Sequence, residues 1–261
     1  MFKSLNLEKT CAINMLKLTD IKVTIIKKRE KFLMKKILIV ETNQATYGRR
    51  SEATGLWLGE MTEFVLAVQA AGYQVDYASP KGGYVPLDPR SMKYADQASM
   101  ELYQQTSFQQ MALAHTLAPA DVDPAAYVAI YYAGGHGVMW DFPANQGLRQ
   151  IAEEIYQHGG YISSVCHGIA GLLNLHRPNG ENLLQGKQVT GFTTGEEILA
   201  GKRRIVPFLN QEAVKIRGGY FVKKRPYASF ALRDGHLITG QNPFSARAVA
   251  QELLTALASA Q

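Results

Sequence analysis

A chain of 261 residues, 46% hydrophobic, can bury one sizeable core, and no apolar run in it approaches the length of a membrane-crossing helix. The formal net charge of +6 would suggest nucleic acid or an anionic membrane, but residues 1–36 hold ten Lys/Arg against three acids, a net of +7 that leaves the other 225 residues at −1. Neither partner is therefore expected, and two cysteines, Cys11 and Cys166, exclude a disulfide framework and point to a reducing cytoplasm.

The basic leader lacks the continuous apolar region and small-residue cleavage site of a secretory signal. Residues 1–33 are expected to be a mobile, dispensable extension, and residues 34–261 an α/β domain. Short β-branched runs predict strands over Lys36 to Val40, Gln74 to Ala78, Val128 to Ala133, Tyr161 to Cys166, Gln188 to Gly191 and Leu237 to Thr239. Between them, Trp57, Met61, Phe64, Val68 and Ala71 recur at helical spacing, as do the apolar residues of Gln146 to His158; a last helix spans Ala246 to Ala258. The alternation predicts a mostly parallel sheet sandwiched by helices. A long stretch of about 80–124, with a helical segment from Met92 to Leu117, predicts a cap insertion over the site. Gly186-Lys187 and Gly201-Lys202 lack the rest of a phosphate loop, and no G-x-G-x-x-G follows a strand, so no nucleotide cofactor is expected.

The densest motif is Tyr161-Ile-Ser-Ser-Val-Cys166-His167-Gly168-Ile-Ala-Gly171. An apolar strand runs into a potential nucleophile with small residues two places before and after it, the requirement of a strained nucleophile elbow. A helix start beneath Cys166 would favour its thiolate by at most about 2 kcal/mol, so a second partner is needed, and His167 is the nearest. Glu196 and Glu197, just past Gly191-Phe192-Thr193-Thr194-Gly195, could orient the imidazole. Ala133-Gly134-Gly135-His136-Gly137 follows another apolar strand and could turn backbone N–H groups toward an anion. Glu60, in register with Phe64 on the first helix, could point inward, take a raised pKa and hydrogen-bond a thiolate. One Cys and scattered His residues give no recognisable zinc spacing, so no metal is expected.

Five segments in this order, Thr54 to Glu60, Ala133 to Gly137, Val165 to Gly168, Val189 to Thr193 and Ile238 to Pro243, resemble the ThiJ/PfpI superfamily. The resemblance implies a class I glutamine amidotransferase-like, flavodoxin-like fold from Lys36 to the final helix. The adjacent Cys-His pair and the cap resemble the heat-shock-type glyoxalase III branch, whose members are usually homodimers. On that resemblance Cys166 is the nucleophile, His167 the histidine, Glu197 or Glu196 the supporting acid and Glu60 the helix carboxylate. Gly135 and His167 supply the oxyanion amides, within a substrate turn of Gly134, Gly135 and His136. After Glu60 the family pattern continues toward a Pro-Tyr pair, where this chain has Glu63-Phe64. The implied reaction is methylglyoxal to lactate without glutathione, metal or nucleotide, with deglycation and chaperone-like activity as possible companions.

A glutamine amidotransferase needs a His-x-Glu segment, and none of the six histidines has one. A cysteine peptidase or amidase is compatible with the same residues, although a lidded pocket would exclude a folded chain. A redox-responsive holdase chaperone, with Cys166 oxidised beside Glu60, is the main non-enzymatic alternative.

Overall fold

In the computed structural model, which describes residues 36–259, Ile37, Leu38, Ile39 and Val40 of the first strand are all fully buried. A parallel strand covered on both faces needs such a continuous apolar run. The strands are β1 (Lys36–Val40), β2 (Gln74–Ala78), β3 (Tyr127–Tyr132), β4 (Tyr161–Val165), β5 (Gln188–Val189), β6 (Tyr220–Phe221), β7 (Ala231–Asp234) and β8 (Leu237–Gly240). Six form the central sheet in the order β2-β1-β3-β4-β8-β7, all parallel except β7, which pairs antiparallel with β8.

The α-helices longer than four residues are α1 (Leu58–Ala70), α2 (Gln97–Tyr103), α3 (Gln146–Gln157), α4 (Thr194–Leu199), α5 (Asn210–Ile216) and α6 (Ala246–Ser259). The period-two alternation of β1 divides the core. Ile37 and Ile39 pack with Phe64, Val65 and Val68 of α1 and Val249 and Leu253 of α6. Leu38 and Val40 pack with Leu148, Ile151 and Ile155 of α3 and with Leu172 and Leu173. Phe64, which departs from the family pattern, stacks on Tyr131 at 3.6 Å between centroids, and the Tyr131 hydroxyl donates to the Glu60 carbonyl at 2.7 Å. Together these contacts fix the start of α1 against the end of β3.

Two sequence expectations need correction. The strand expected over Gln188 to Gly191 is only Gln188–Val189, and it pairs with β6 outside the central sheet. The short edge strands β6 and β7, half-exposed and weakly alternating, have no counterpart among the predicted strands. The single helical segment expected from Met92 to Leu117 is instead four pieces. Ser91–Lys93 is a 3-10 turn, α2 follows, and Thr106–Phe108 runs on into a π-turn at Gln109–Ala114. Asp96 breaks the run because its carboxylate accepts from Ser99 N at 2.8 Å and caps α2. This stretch anchors Leu102, Phe108 and Ala112 in the α1-side core, and its start, with Arg90 just before it, brings Arg90, Lys93 and Tyr94 to the pocket.

Chain order reverses where β1 meets β3, and in such sheets the crevice beyond the strand carboxyl ends at the reversal is where ligands bind.

Candidate active site

β4 ends at Val165, and the chain turns at Cys166 with φ +57°, a left-handed conformation that costs a non-glycine residue on the order of 1–3 kcal/mol. The turn is possible because Gly168 has no side chain: a Cβ there would run into the Tyr132 carbonyl. The thiol is 2% exposed, and Cys166–Leu172 forms a fully buried 3-10 helix. Burial pushes the thiol well above its ordinary value, with Glu60 adding to the shift when ionised, while the His167 amide pulls the other way. Loss of water and the helix start therefore act in opposite directions on the thiol, and the partner at sulfur is His167.

His167, 1% exposed, places Nδ1 at 3.4 Å from Cys166 Sγ and Nε2 at 2.8 Å from Glu197 Oε2. The other carboxylate oxygen, Oε1, lies 2.8 Å from His136 Nε2. Burial alone would raise Glu197, but His167 and His136 outweigh it and hold the carboxyl well below the usual carboxylate range. Burial, His167 and Arg90 together pull His136 down to about 4, against the upward pull of Glu197. Its Nδ1 stands 3.1 Å from Arg90 Nη2.

Glu196, the other acid considered for this position, faces away. It completes a capping box with Thr193, and its Oε1 accepts from Tyr227 N, Gln241 Nε2 and Asn242 Nδ2 at 2.8–2.9 Å. The Thr193-x-x-Glu196 spacing is itself the sequence signature of a capping box and would have separated the two acids.

In the glycine turn, Gly135 has φ +107° and lines the pocket beside Cys166 and His167, and its amide makes no hydrogen bond among the described residues. Gly134 departs from the expected oxyanion turn. Its carbonyl accepts from Trp57 N at 3.1 Å and its amide adjoins Glu60, so it acts as a spacer where a Cβ would meet that carboxyl. His136 enters through its side chain. Glu60 is completely buried beside the Cys166 thiol, although neither of its oxygens completes a hydrogen bond of good geometry. Burial pushes it well above the ordinary carboxyl value, so it rests as a neutral acid able to donate toward sulfur.

These groups form the floor of a pocket of about 580 Å³. Arg90, Lys93, Tyr94 and Trp57 stand on one side, and Phe192, Tyr227 and Phe244 are also among its walls. None of these seven was singled out as a site residue from the sequence: Trp57 and Phe192 fell within the matched segments without a role, and the other five belong to no motif. His136, His167 and Glu197 bring ligand atoms within 4.8 Å of one another, the one such grouping among the described residues. The donor set fits a cation poorly: a ligating imidazole donates its second N–H to an acceptor, whereas His136 Nδ1 meets a guanidinium.

The DJ-1/PfpI family model matches residues 55–256. Glyoxalase 3 of Candida albicans is 30% identical over 233 residues, covering 86% of this chain and 98% of its own. Glutathione-independent glyoxalase HSP31 of Saccharomyces cerevisiae is 30% identical over 236 residues, covering 85% and 98%. Among solved structures, Rapid Encystment Protein 24 KDa of Francisella tularensis superposes with TM-score 0.83 at 33% identity, covering 86% of this chain and 99% of that one. Glyoxalase III of Candida albicans superposes with TM-score 0.80 at 29% identity, covering 86% and 98%. With an elbow cysteine, an adjacent histidine and similarity over nearly the whole described chain, this protein belongs to the DJ-1/PfpI family, in its heat-shock-type glyoxalase III branch.

Proposed function

We propose that this protein is a glutathione-independent glyoxalase that converts methylglyoxal to lactate, with Cys166 as nucleophile, His167 as proton carrier and Glu197 as its orienting acid. The observation that carries the reading is the linear arrangement Cys166 Sγ, His167, Glu197 on a pocket floor, in a chain whose relatives of that name align over nearly their full length.

As the aldehyde carbon approaches, His167 Nδ1 takes the thiol proton and sulfur adds to that carbon. The resulting oxyanion is met by the free Gly135 amide and the His167 amide, and neutral Glu60 donates toward the sulfur. His167 returns the thiol proton to that oxyanion, giving a hemithioacetal and freeing Nδ1. That nitrogen then takes the proton from the former aldehyde carbon and delivers it to the neighbouring carbon through an enediol, while the hydroxyl proton passes to the neighbour's oxygen. The first carbon is oxidised to a thioester and the second reduced to an alcohol with no outside oxidant. Water then cleaves the thioester, releasing lactate and restoring the thiol. Glu197, held low by two imidazoles, stabilises the imidazolium that forms midway.

A cytoplasmic homodimer and a separable leader at residues 1–33 belong to the same proposal, as does a cap role for about 80–124. Residues 1–33 lie outside the described ones. Among the described residues no helix is long and apolar enough to cross a membrane. The holdase alternative draws support from exposed apolar side chains at the pocket mouth, Leu199 at 64% and Phe244 at 50%.

The test is lactate formation from methylglyoxal without glutathione or added metal. Cys166→Ala and His167→Ala are each expected to lower kcat at least about 10³-fold, the scale on which nucleophile and base act as a unit. Wild-type protein that makes no lactate but suppresses aggregation of a denatured client, equally with His167→Ala, would move the assignment to the holdase.

A further inference from the structure

The hydrogen-bonded chain does not stop at Glu197. Asp88 is completely buried, accepts from Thr54 Oγ1 at 3.0 Å and grips Arg90 with both oxygens: Nε to Oδ1 at 2.9 Å and Nη2 to Oδ2 at 2.6 Å. The same Nη2 also reaches the Tyr47 hydroxyl and His136 Nδ1. Burial alone would raise Asp88, but Arg90 outweighs it and holds the carboxylate ionised.

We propose that Arg90 and His136 form a positioning arm that pairs the second oxygen of Glu197 and so holds that carboxylate where it orients His167 toward the nucleophile. The logic is elementary. Nη2 has two hydrogens, one on Asp88 Oδ2 and the other shared between the Tyr47 hydroxyl and His136 Nδ1; because a guanidinium can only donate, a proton on Nδ1 would face a second donor, and His136 carries its proton on Nε2. That Nε2–H can donate only to Glu197 Oε1. Glu197 is an ionised acceptor, so its Oε2 takes the His167 Nε2–H. The one lone pair left on His167 is then Nδ1, which faces the Cys166 thiol at 3.4 Å. Reversing any link would put two donors or two acceptors face to face in a buried site, which is costly. The arm also makes the alignment depend on the stretch between β2 and β3, since Asp88 and Arg90 belong to it while His136, Glu197 and Cys166 follow three other strands.

The kinetic part of the test rests on the glyoxalase reading; the thiol part does not. Iodoacetamide alkylation of Cys166, followed by mass spectrometry of its own peptide so that Cys11 does not interfere, reports on the base at sulfur whatever the substrate. His136→Leu leaves Glu197 Oε1 unpaired and is expected to lower kcat about 10- to 100-fold with KM within about threefold, and to slow alkylation at pH 7 about tenfold. His136→Gln can still accept from Arg90 and donate to Glu197, and should stay within about threefold of wild type in both. Arg90→Met takes away the donor at His136 Nδ1 and should slow alkylation at pH 7 to a rate between those of His136→Gln and His136→Leu. The arm is overturned if His136→Leu alkylates and turns over like wild type, or if His136→Gln is as impaired as His136→Leu. Should His136→Leu fail to fold by circular dichroism, an unchanged Arg90→Met alkylation rate overturns it instead. Wild-type protein without methylglyoxal turnover would remove the glyoxalase reading, and the order of alkylation rates would still decide the arm.

Discussion

Two buried groups near the site hold protons in opposite senses, and their linkage to stability can be worked out. His136 is pulled down to about 4 from an ordinary 6.5. Between those values the unfolded chain binds more protons, so the stability this group gives is complete above pH 6.5 and is lost as pH falls toward 4. Asp141, whose carboxylate accepts from Thr42 Oγ1 and Asn43 N, is pushed up by burial to about 6 from 3.8. Here the folded chain binds more protons, so stability is complete below pH 3.8 and is lost as pH rises through 6. Each shift is worth about 3 kcal/mol at roughly 1.4 kcal/mol per unit, so between pH 4 and 6 the two nearly cancel. Asp141→Asn removes one side of the balance. Relative to wild type, the variant is expected to lose about 2 kcal/mol more between pH 7 and 4.5 in urea unfolding. Parallel pH profiles for the two proteins would show that Asp141 is not protonated in the fold.

At the level of elements, the elbow is the part on which the site most depends. Gly168 lies against the Tyr132 carbonyl, so Gly168→Ala must push the Cys166–Leu172 3-10 helix and β3 apart or flatten the turn that holds Cys166 at φ +57°. Thermal unfolding should show a loss of more than about 2 kcal/mol, in the range of overpacked cores. Gly159→Ala, where a Cβ meets nothing but the backbone has φ +80°, should cost less. The elbow was legible in the sequence because strand, nucleophile and small residues are adjacent there. So were the positions of the five strands β1 to β4 and β8, each an apolar run of ordinary length. What sequence could not order were contacts made across the fold. That Glu197 meets His136 as well as His167 is such a contact, although the capping-box spacing of Thr193 and Glu196 did mark Glu196 as the acid that caps α4. Gly134 and His136 sit in one glycine-rich turn, but one is a spacer and the other acts through its ring. β7 escaped notice because a half-exposed edge strand has too little apolar alternation to signal itself.

Taken whole, the molecule assembles its pocket from segments spread between Trp57 and Phe244, so the site exists only when the central sheet is complete. Deletion of residues 1–33 is expected to leave kcat and KM for methylglyoxal within about twofold while removing most of the excess positive charge. A fall in kcat at unchanged thermal stability would give the leader a part in turnover. The pocket also sets a hazard for the chain that forms it. α-Oxoaldehydes condense with the unprotonated guanidine of arginine, and Arg90 stands in the wall beside the place where such a substrate would gather. Burial alone would make Arg90 easier to deprotonate, but the paired Asp88 carboxylate reverses that and raises it above its ordinary value. The carboxylate that orients the arm therefore also keeps the arginine in its unreactive form, a built-in resistance to self-inactivation by the compound being cleared.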